Sequence, residues 1–226
     1  MTSIIEYLSG LSQNNNREWY HANKAQYKQA NADFEGFIGD LITVIGQYDP
    51  SILHNNPKDL TFKLVRDTRY SHDKSPYNPT FRAHIASNGK LPIPVGYFIS
   101  LSPGGKSFLG GGLFADMFKD ATTMIRDYIA ANGSVFATIM NDDGFIRNFR
   151  TVKGETLKKV PAGYDASHPQ VEYFKFKSWY LEYPVTDEQL VDKADFIQHA
   201  ADIFKLMKPF NDYLNAALKD FEMPSR

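Results

Sequence analysis

The hydrophobic pattern changes its period in the middle of the chain, and this change restricts the possible folds more than any other feature. Apolar residues occupy every second position in three runs, at residues 60–64, 81–85 and 95–101. Alternation of this kind is typical of strands that bury one face. A glycine-rich segment at residues 107–114 is predicted to add a fourth strand.

The connections between these runs predict how the strands pair. One connection contains Asn88-Gly89 and another contains Pro103-Gly104-Gly105, and both are typical of tight turns. Parallel neighbours need a crossover of a dozen or more residues, so connections this short favour antiparallel pairs. We therefore predict a mostly antiparallel sheet from the middle of the chain.

Helical periodicity dominates both ends of the chain. Apolar residues at helical spacing predict a short helix at residues 4–11 and, after a polar turn, a long helix at residues 17–49. A final helix is predicted to begin near Thr186 or Asp187. Pro209 lies inside this helix and is expected to kink it or split it.

Further elements are predicted between the sheet and the final helix. They are helices at residues 116–131 and 134–140, and strands at residues 145–152 and 178–185. The whole pattern predicts a single α+β domain over residues 1–226, in which the long N-terminal and C-terminal helices flank the antiparallel sheet.

The overall composition argues against several classes of function. The chain has 25 Lys and Arg residues against 26 Asp and Glu residues, so its net charge of -1 does not favour nucleic acid or an anionic membrane as a partner. It has no cysteine, which excludes disulfides, thiolate nucleophiles and cysteine-ligated metals. No targeting or membrane-spanning segment is evident, so we expect a cytoplasmic protein.

Histidine does not point to a metal site either. The six histidines are scattered, and none forms the pair at helical spacing that would place two imidazoles on one helix face. We predict no bound metal, and the pattern does not identify any other cofactor.

The segment at residues 66–77, RDTRYSHDKSPY, concentrates charge with almost nothing to bury. From Lys63 to His84 there are five basic and two acidic residues, a local excess of +3 in a slightly acidic chain. Arginine binds carboxylate or phosphate through paired hydrogen bonds, so one hypothesis is a binding face for a small anionic ligand, such as a phosphorylated one. The candidate ligand-binding residues are Arg66, Asp67, Arg69, Asp73, Lys74, Arg82, His84, Gly104 and Gly105.

Each type of residue in this set has an expected role. Asp67 has arginine on both sides and can orient them, in which case its pKa should be depressed. His84 can act as a general base, and Gly104 and Gly105 can offer backbone N–H groups to an anion. The alternative is structural: Asp67 and Asp73 neutralise their basic neighbours and shape a loop, while nearby tyrosines plug into the core.

Three sequence blocks resemble the DUF2461 family of conserved hypothetical proteins. They are the block at residues 14–20, the central block at residues 66–77, which is the most specific, and the glycine-rich block at residues 102–112. The resemblance extends over nearly the whole chain. It departs at His72 and Asn78, where members commonly carry a basic residue. It implies a cytoplasmic α+β protein and no established activity or cofactor.

Two hypotheses about function follow from these observations. In the first, the protein binds or acts on a small anionic ligand through its Arg/Lys/Asp cluster. In the second, it is a non-catalytic interaction or structural module in which the same cluster only holds a loop. A third hypothesis, binding of single-stranded nucleic acid through Tyr70, Tyr77 and the arginines, is opposed by the overall charge.

Overall fold

The predicted sheet forms from four strands that are neighbours in both sequence and space. A computed structural model describes residues 1–116 and 118–224. Its strands are β1 (Phe81–Ile85), β2 (Tyr97–Leu101), β3 (Ser107–Leu113) and β4 (Trp179–Val185), in the order β1-β2-β3-β4. Every pair is antiparallel, which confirms the predicted pairing and the α+β class.

Helices precede, follow and interrupt this sheet. They are α1 (Thr2–Gln13), α2 (Arg17–Ala22), α3 (Lys24–Ile45), α4 (Pro57–Leu60), α5 (Lys119–Ala131), α6 (Gly133–Met140), α7 (Asp143–Phe149), α8 (Val171–Phe174) and α9 (Lys193–Ala217). Two short 3₁₀ turns lie at Pro50–Ile52 and Glu188–Leu190. No helix of the described residues is long and apolar enough to cross a membrane.

The two long helices cover one face of the sheet. Phe34 of α3 stacks on Phe81 of β1 with ring centroids 5.2 Å apart. Helix α9 lies so close to β3 that a side chain at Gly111 would come within 3.1 Å of Met207 and 3.0 Å of Asn211. Residues at odd-numbered positions of the strands therefore enter the core, and residues at even-numbered positions face away from α9. Gly112 is an exception, because a Cβ added there would lie 2.8 Å from Phe210 of α9.

Two predicted strands are wrong. The segment at residues 145–152 is mostly helix α7, because the Asp142 side chain caps its first turn by accepting from the Phe145 N–H. The segment at residues 60–64 begins in a helical turn that starts at Pro57, and beyond it Thr61 forms only an isolated bridge to β1.

The helix boundaries also differ from the predictions. The long N-terminal helix is broken at Asn23, whose side-chain amide donates to the carbonyl oxygen of Trp19 and closes α2. Helix α9 begins after Asp192, and it is not split at Pro209, which lies on its exposed side. The predicted helix start at residues 116–118 includes Met117, which lies outside the described residues.

Candidate functional site

The central charged block forms a loop whose charges pair with one another. An isolated bridge between Val65 and Tyr77 closes this central loop, residues 65–77. Arg66 forms an ion pair with Asp73 inside it. The Lys74 Nζ atom donates to the carbonyl oxygen of Thr68 at 3.0 Å.

Asp67 and Arg69 form the most complete pair of the loop. The Arg69 Nη2 and Nε atoms lie 2.6 and 3.1 Å from the Asp67 Oδ2 atom, and the Arg69 backbone N–H also donates to Asp67. These side chains are 76% and 58% exposed. The hydrogen bonds from Arg69 lower the pKa of Asp67, which confirms the predicted direction.

Asp73 is held in the same way by its neighbours. Hydrogen bonds from Ser75, together with the ion pair to Arg66, hold the pKa of Asp73 well below its usual range. Both acidic side chains of the central loop are therefore ionised at neutral pH and paired within the loop. This arrangement agrees with the structural alternative for residues 66–74.

The tyrosines of the loop behave differently from each other. Tyr77 is buried and stacks on Tyr20 with ring centroids 4.3 Å apart. Its backbone N–H donates to the Asn15 side chain, and its carbonyl oxygen accepts from the same side chain. Tyr70 is 94% exposed and does not plug into the core.

The glycine turn between β2 and β3 does bind an anionic group, but that group belongs to the chain itself. Gly104 and Gly105 have φ angles of +76° and +67°, which glycine adopts without strain. Their N–H groups donate to the two carboxylate oxygens of Asp187 at 2.9 and 3.0 Å. The turn therefore ties β2 and β3 to the segment that follows β4.

A cleft of about 690 Å³ lies on the face of the sheet opposite α9. Residues that line this open-face cleft include Arg82, His84, Phe98, Ser100, Phe108 and Glu182. Of the nine candidate residues from the sequence, Arg82 and His84 are lining residues. The other seven, in the central loop and the glycine turn, are outside the lining that the described residues form.

Strand register explains which side chains meet in the cleft. Arg82 of β1 lies opposite Ser100 of β2, and Ser100 lies opposite Phe108 of β3. Ser100 is much smaller than its two neighbours, so the surface of the sheet has a depression between the Arg82 side chain and the Phe108 ring. The next row of the sheet, in the same strand order, is His84, Phe98, Gly110 and Glu182.

Aromatic rings form the apolar part of the cleft. The Phe98 ring lies 5.8 Å from the Phe108 ring and 5.3 Å from the Phe114 ring, measured between centroids. The Phe114 ring covers Gly110, where an added Cβ atom would lie 2.8 Å from it. Phe114 also stacks on Tyr180 at 4.5 Å.

Arg82 has no polar partner among the residues that the structure describes. Its side chain is half-buried, and its Nε atom is buried with no hydrogen bond to any described residue. Its guanidinium carbon lies 5.5 Å from the centroid of the Phe62 ring. Burial lowers the pKa of Arg82, because the charged form loses water without gaining a counter-ion.

Other charges line the cleft around Arg82. The Lys90 Nζ atom lies 5.9 Å from the centroid of the same Phe62 ring and donates to the Thr61 carbonyl oxygen. Lys106 adds an exposed ammonium group. The Glu182 carboxylate lies 2.6 Å from the Nζ atom of Lys153, a residue outside the cleft lining. This ion pair neutralises the charge of Glu182.

His84 is held in its neutral form. Burial lowers the pKa of His84 to about 4, and backbone groups of Lys90 and Leu91 oppose this shift only in part. An imidazole with this pKa is uncharged at neutral pH and is a poor proton acceptor there. It can accept or donate a hydrogen bond, so its contribution to the cleft is polar and not cationic.

Sequence reasoning missed Lys90, Ser100, Glu182 and the aromatic rings of the cleft. A signal for one of the rings was present: Phe98 occupies an outward position of the predicted strand at residues 95–101, where a polar residue is expected. Apolar residues on both faces of a strand indicate that the second face is also covered or binds something. Among the described residues, no group of three or more His, Asp and Glu side chains could hold a metal.

The comparisons with known proteins identify a family. A family model described as "Conserved hypothetical protein (DUF2461)" matches residues 3–213. The comparison with curated proteins gave no match, and neither did the comparison with solved structures. The matched region spans all four strands and therefore the open-face cleft. The chain belongs to the DUF2461 family of conserved hypothetical proteins.

Proposed function

We propose that the protein binds a small organic anion in the open-face cleft, with Arg82 as the main anchor. The observation that carries this proposal is the half-buried guanidinium of Arg82, which has no polar partner among the described residues. A buried cation is costly unless an anion or several acceptors pair with it. A ligand carboxylate or phosphate would supply that partner.

The size and lining of the cleft support a ligand with an apolar body. Its volume of about 690 Å³ falls within the range of small-molecule sites. Such sites combine apolar walls with a few polar groups that orient the ligand. The rings of Phe98, Phe108 and Phe114 supply the walls, and Arg82 with the Ser100 hydroxyl supplies the polar end.

The balance of charge in the cleft also favours an anion. Arg82, Lys90 and Lys106 contribute three positive charges to the lining, and Glu182 contributes one negative charge that Lys153 neutralises. Positive charge concentrated in a concave surface attracts anions, even when the whole chain is slightly acidic. We propose binding and no particular reaction. The expected cytoplasmic location and the single domain stay predictions.

The second hypothesis, an interaction or structural module, is favoured by the central loop. Its ion pairs are satisfied within residues 65–77, and its exposed side chains include Tyr70 and Val65. The two hypotheses now concern different parts of the molecule. A test must therefore compare an arginine of the cleft with an arginine of the loop.

Binding of cinnamate, a planar organic anion, tests the proposal. We expect Arg82→Met to weaken cinnamate binding by about 10- to 100-fold, the loss typical of one charge-assisted hydrogen-bonded contact. The matched control is Arg69→Met, which removes the same charge from the exposed loop. Calorimetry or ligand-observed NMR would measure both affinities, and circular dichroism would check that both variants fold.

The affinities of the two variants distinguish binding in the open-face cleft from binding in the central loop. Loss of affinity in Arg82→Met with no change in Arg69→Met supports the cleft. Loss in Arg69→Met alone would place the site in the central loop, and equal affinities in all three proteins would contradict the proposal.

A further inference from the structure

The two ends of the open-face cleft differ in charge. The end at β1 carries Arg82, and the Arg82 and Lys90 cations both lie near the Phe62 ring. The end at β4 carries the Glu182 carboxylate. A ligand that lies across the strands therefore meets hydrogen-bond donors at one end and an acceptor at the other.

Glu182 has one carboxylate oxygen that accepts no hydrogen bond within the described part of the chain. Its Oε2 atom accepts from the Lys153 Nζ atom at 2.6 Å, whereas its Oε1 atom accepts from none of the described residues. The side chain is 27% exposed and lines the cleft. The ion pair with Lys153 fixes the position of the carboxylate and reduces its repulsion of an anion. A neutral donor, such as a hydroxyl or amino group, can then bind to the free oxygen atom.

The surface between the two ends is aromatic. Phe98 and Phe108 lie on the two central strands, and the Phe114 ring covers Gly110 in the row that ends at Glu182. Aromatic side chains pack against planar rings in offset-stacked or edge-to-face geometry. This surface therefore favours a flat ring over a flexible chain.

The width of the sheet bounds the length of the ligand. Strands β1 and β4 are separated by three inter-strand spacings, which is about 14 Å. Arg82 and Glu182 also lie in neighbouring rows, two residues apart along the strands, which adds about 7 Å in the strand direction. Because both side chains line the cleft, a ligand that lies diagonally across the strands and is shorter than this diagonal can contact both of them.

We infer that the ligand is an aromatic acid that carries a hydrogen-bond donor at the end opposite its anionic group. Its acid group binds at Arg82 and Ser100, its ring packs on Phe98 and Phe108, and its donor binds the free oxygen atom of Glu182. This inference rests on the proposed function, because it requires that the open-face cleft binds an organic anion.

The test compares probes that differ in one property each. Para-hydroxycinnamate has a donor at the far end, para-methoxycinnamate has similar bulk without a donor, and octanoate is an anion without a ring. We expect the wild-type protein to bind para-hydroxycinnamate at least about tenfold more tightly than either of the other two probes, as one hydrogen bond to a charged group allows.

The Glu182→Met variant identifies the source of this discrimination. It removes the acceptor and also one negative charge, so all anions can bind more tightly to it. Both the hydroxy and the methoxy probe carry one carboxylate, so the loss of the Glu182 charge changes both affinities by the same factor. The ratio of the two affinities is therefore independent of this charge effect. We expect this ratio to fall close to one in Glu182→Met and to stay high in Lys177→Met, which loses a lysine of a different exposed ion pair.

The possible results separate this inference from the proposed function. Binding that depends on Arg82 but is equal for the hydroxy and methoxy probes would overturn the inference alone. A ratio that is unchanged in Glu182→Met would also overturn it, as would octanoate binding as tightly as para-hydroxycinnamate. If none of the probes binds to the wild-type protein, both the inference and the proposed function are wrong.

Discussion

Two arginines in the middle of the chain differ in what surrounds their guanidinium groups. Arg69 is exposed and bound to Asp67 by a fork of hydrogen bonds. Arg82 is half-buried and has no polar partner among the described residues. Exposed pairs contribute little to folding because water solvates and screens both charges. The unpaired cation is therefore the better candidate for binding a ligand.

The exposure of Asp67 predicts the effect of neutralising it. We expect Asp67→Asn to change the free energy of unfolding by no more than the error of a denaturant titration at neutral pH, because both partners are solvated. Arg69 lowers the pKa of Asp67, so any small contribution is present above the ordinary pKa and is lost as the pH falls. A clear loss of stability in this variant would show that the central loop depends on the pair.

His84 predicts a specific dependence of stability on pH. Its folded pKa of about 4 lies below the ordinary value of 6.5, so the unfolded chain binds a proton first as the pH falls. The folded state should therefore lose stability between pH 6.5 and pH 4. Denaturant titrations across this range should show the wild-type protein losing roughly 3 kcal/mol more than His84→Gln. Parallel curves for the two proteins would mean that His84 titrates normally.

At the level of elements, the turn between α1 and α2 supports the central loop. The Asn15 side chain bonds to both the N–H and the carbonyl oxygen of Tyr77, 62 positions away in the sequence. Tyr20 of α2 stacks on the ring of the same residue. Two blocks that are far apart in the sequence, at residues 14–20 and 66–77, thus form one structural unit.

This unit predicts a difference between two neighbouring asparagines. We expect Asn15→Ala to destabilise the protein by about 1–3 kcal/mol, because two partly buried hydrogen bonds to Tyr77 are lost. Asn14→Ala is the control, because the exposed Asn14 side chain bonds, among the described residues, only to the Gly10 carbonyl oxygen in its own helix. Hydrogen exchange at the Tyr77 amide should accelerate in the first variant only. Equal effects of the two substitutions would contradict this role of Asn15.

Strands β1 and β2 were predictable because alternation of apolar residues is a local signal. The two wrong strand predictions arose where a helix-starting residue nearby in the sequence outweighs the alternation of apolar residues. At residues 145–152 the Asp142 cap favours a helix that buries both Phe145 and Phe149 on one side. Near Leu60, a proline at the first helical position starts a helical turn.

The candidate site was predictable only in part. The concentration of charge drew attention to the central loop, and it included Arg82 and His84 among the candidates. Which residues they meet depends on strand register, which brings Glu182 into the row that contains His84. A single sequence contains no direct signal for register between strands as distant as β1 and β4.

At the scale of the whole molecule, the sheet has two different faces. One face is covered by α3 and α9 and forms the core with them. The other face carries the open-face cleft, where Arg82, the depression at Ser100 and a group of aromatic rings lie next to one another. Helices that cover only one face of an antiparallel sheet are typical of α+β folds, and they leave the second face available for a ligand.

The most direct test of the central claim is to map cinnamate binding by amide chemical shifts on the isotope-labelled wild-type protein. We predict that cinnamate changes the amide chemical shifts mainly on the cleft strands, at Arg82, Phe98, Ser100 and Phe108, and leaves those of the central loop unchanged. Shifts confined to residues 65–77, or the absence of any shift at saturating cinnamate, would contradict the assignment of anion binding to the open-face cleft.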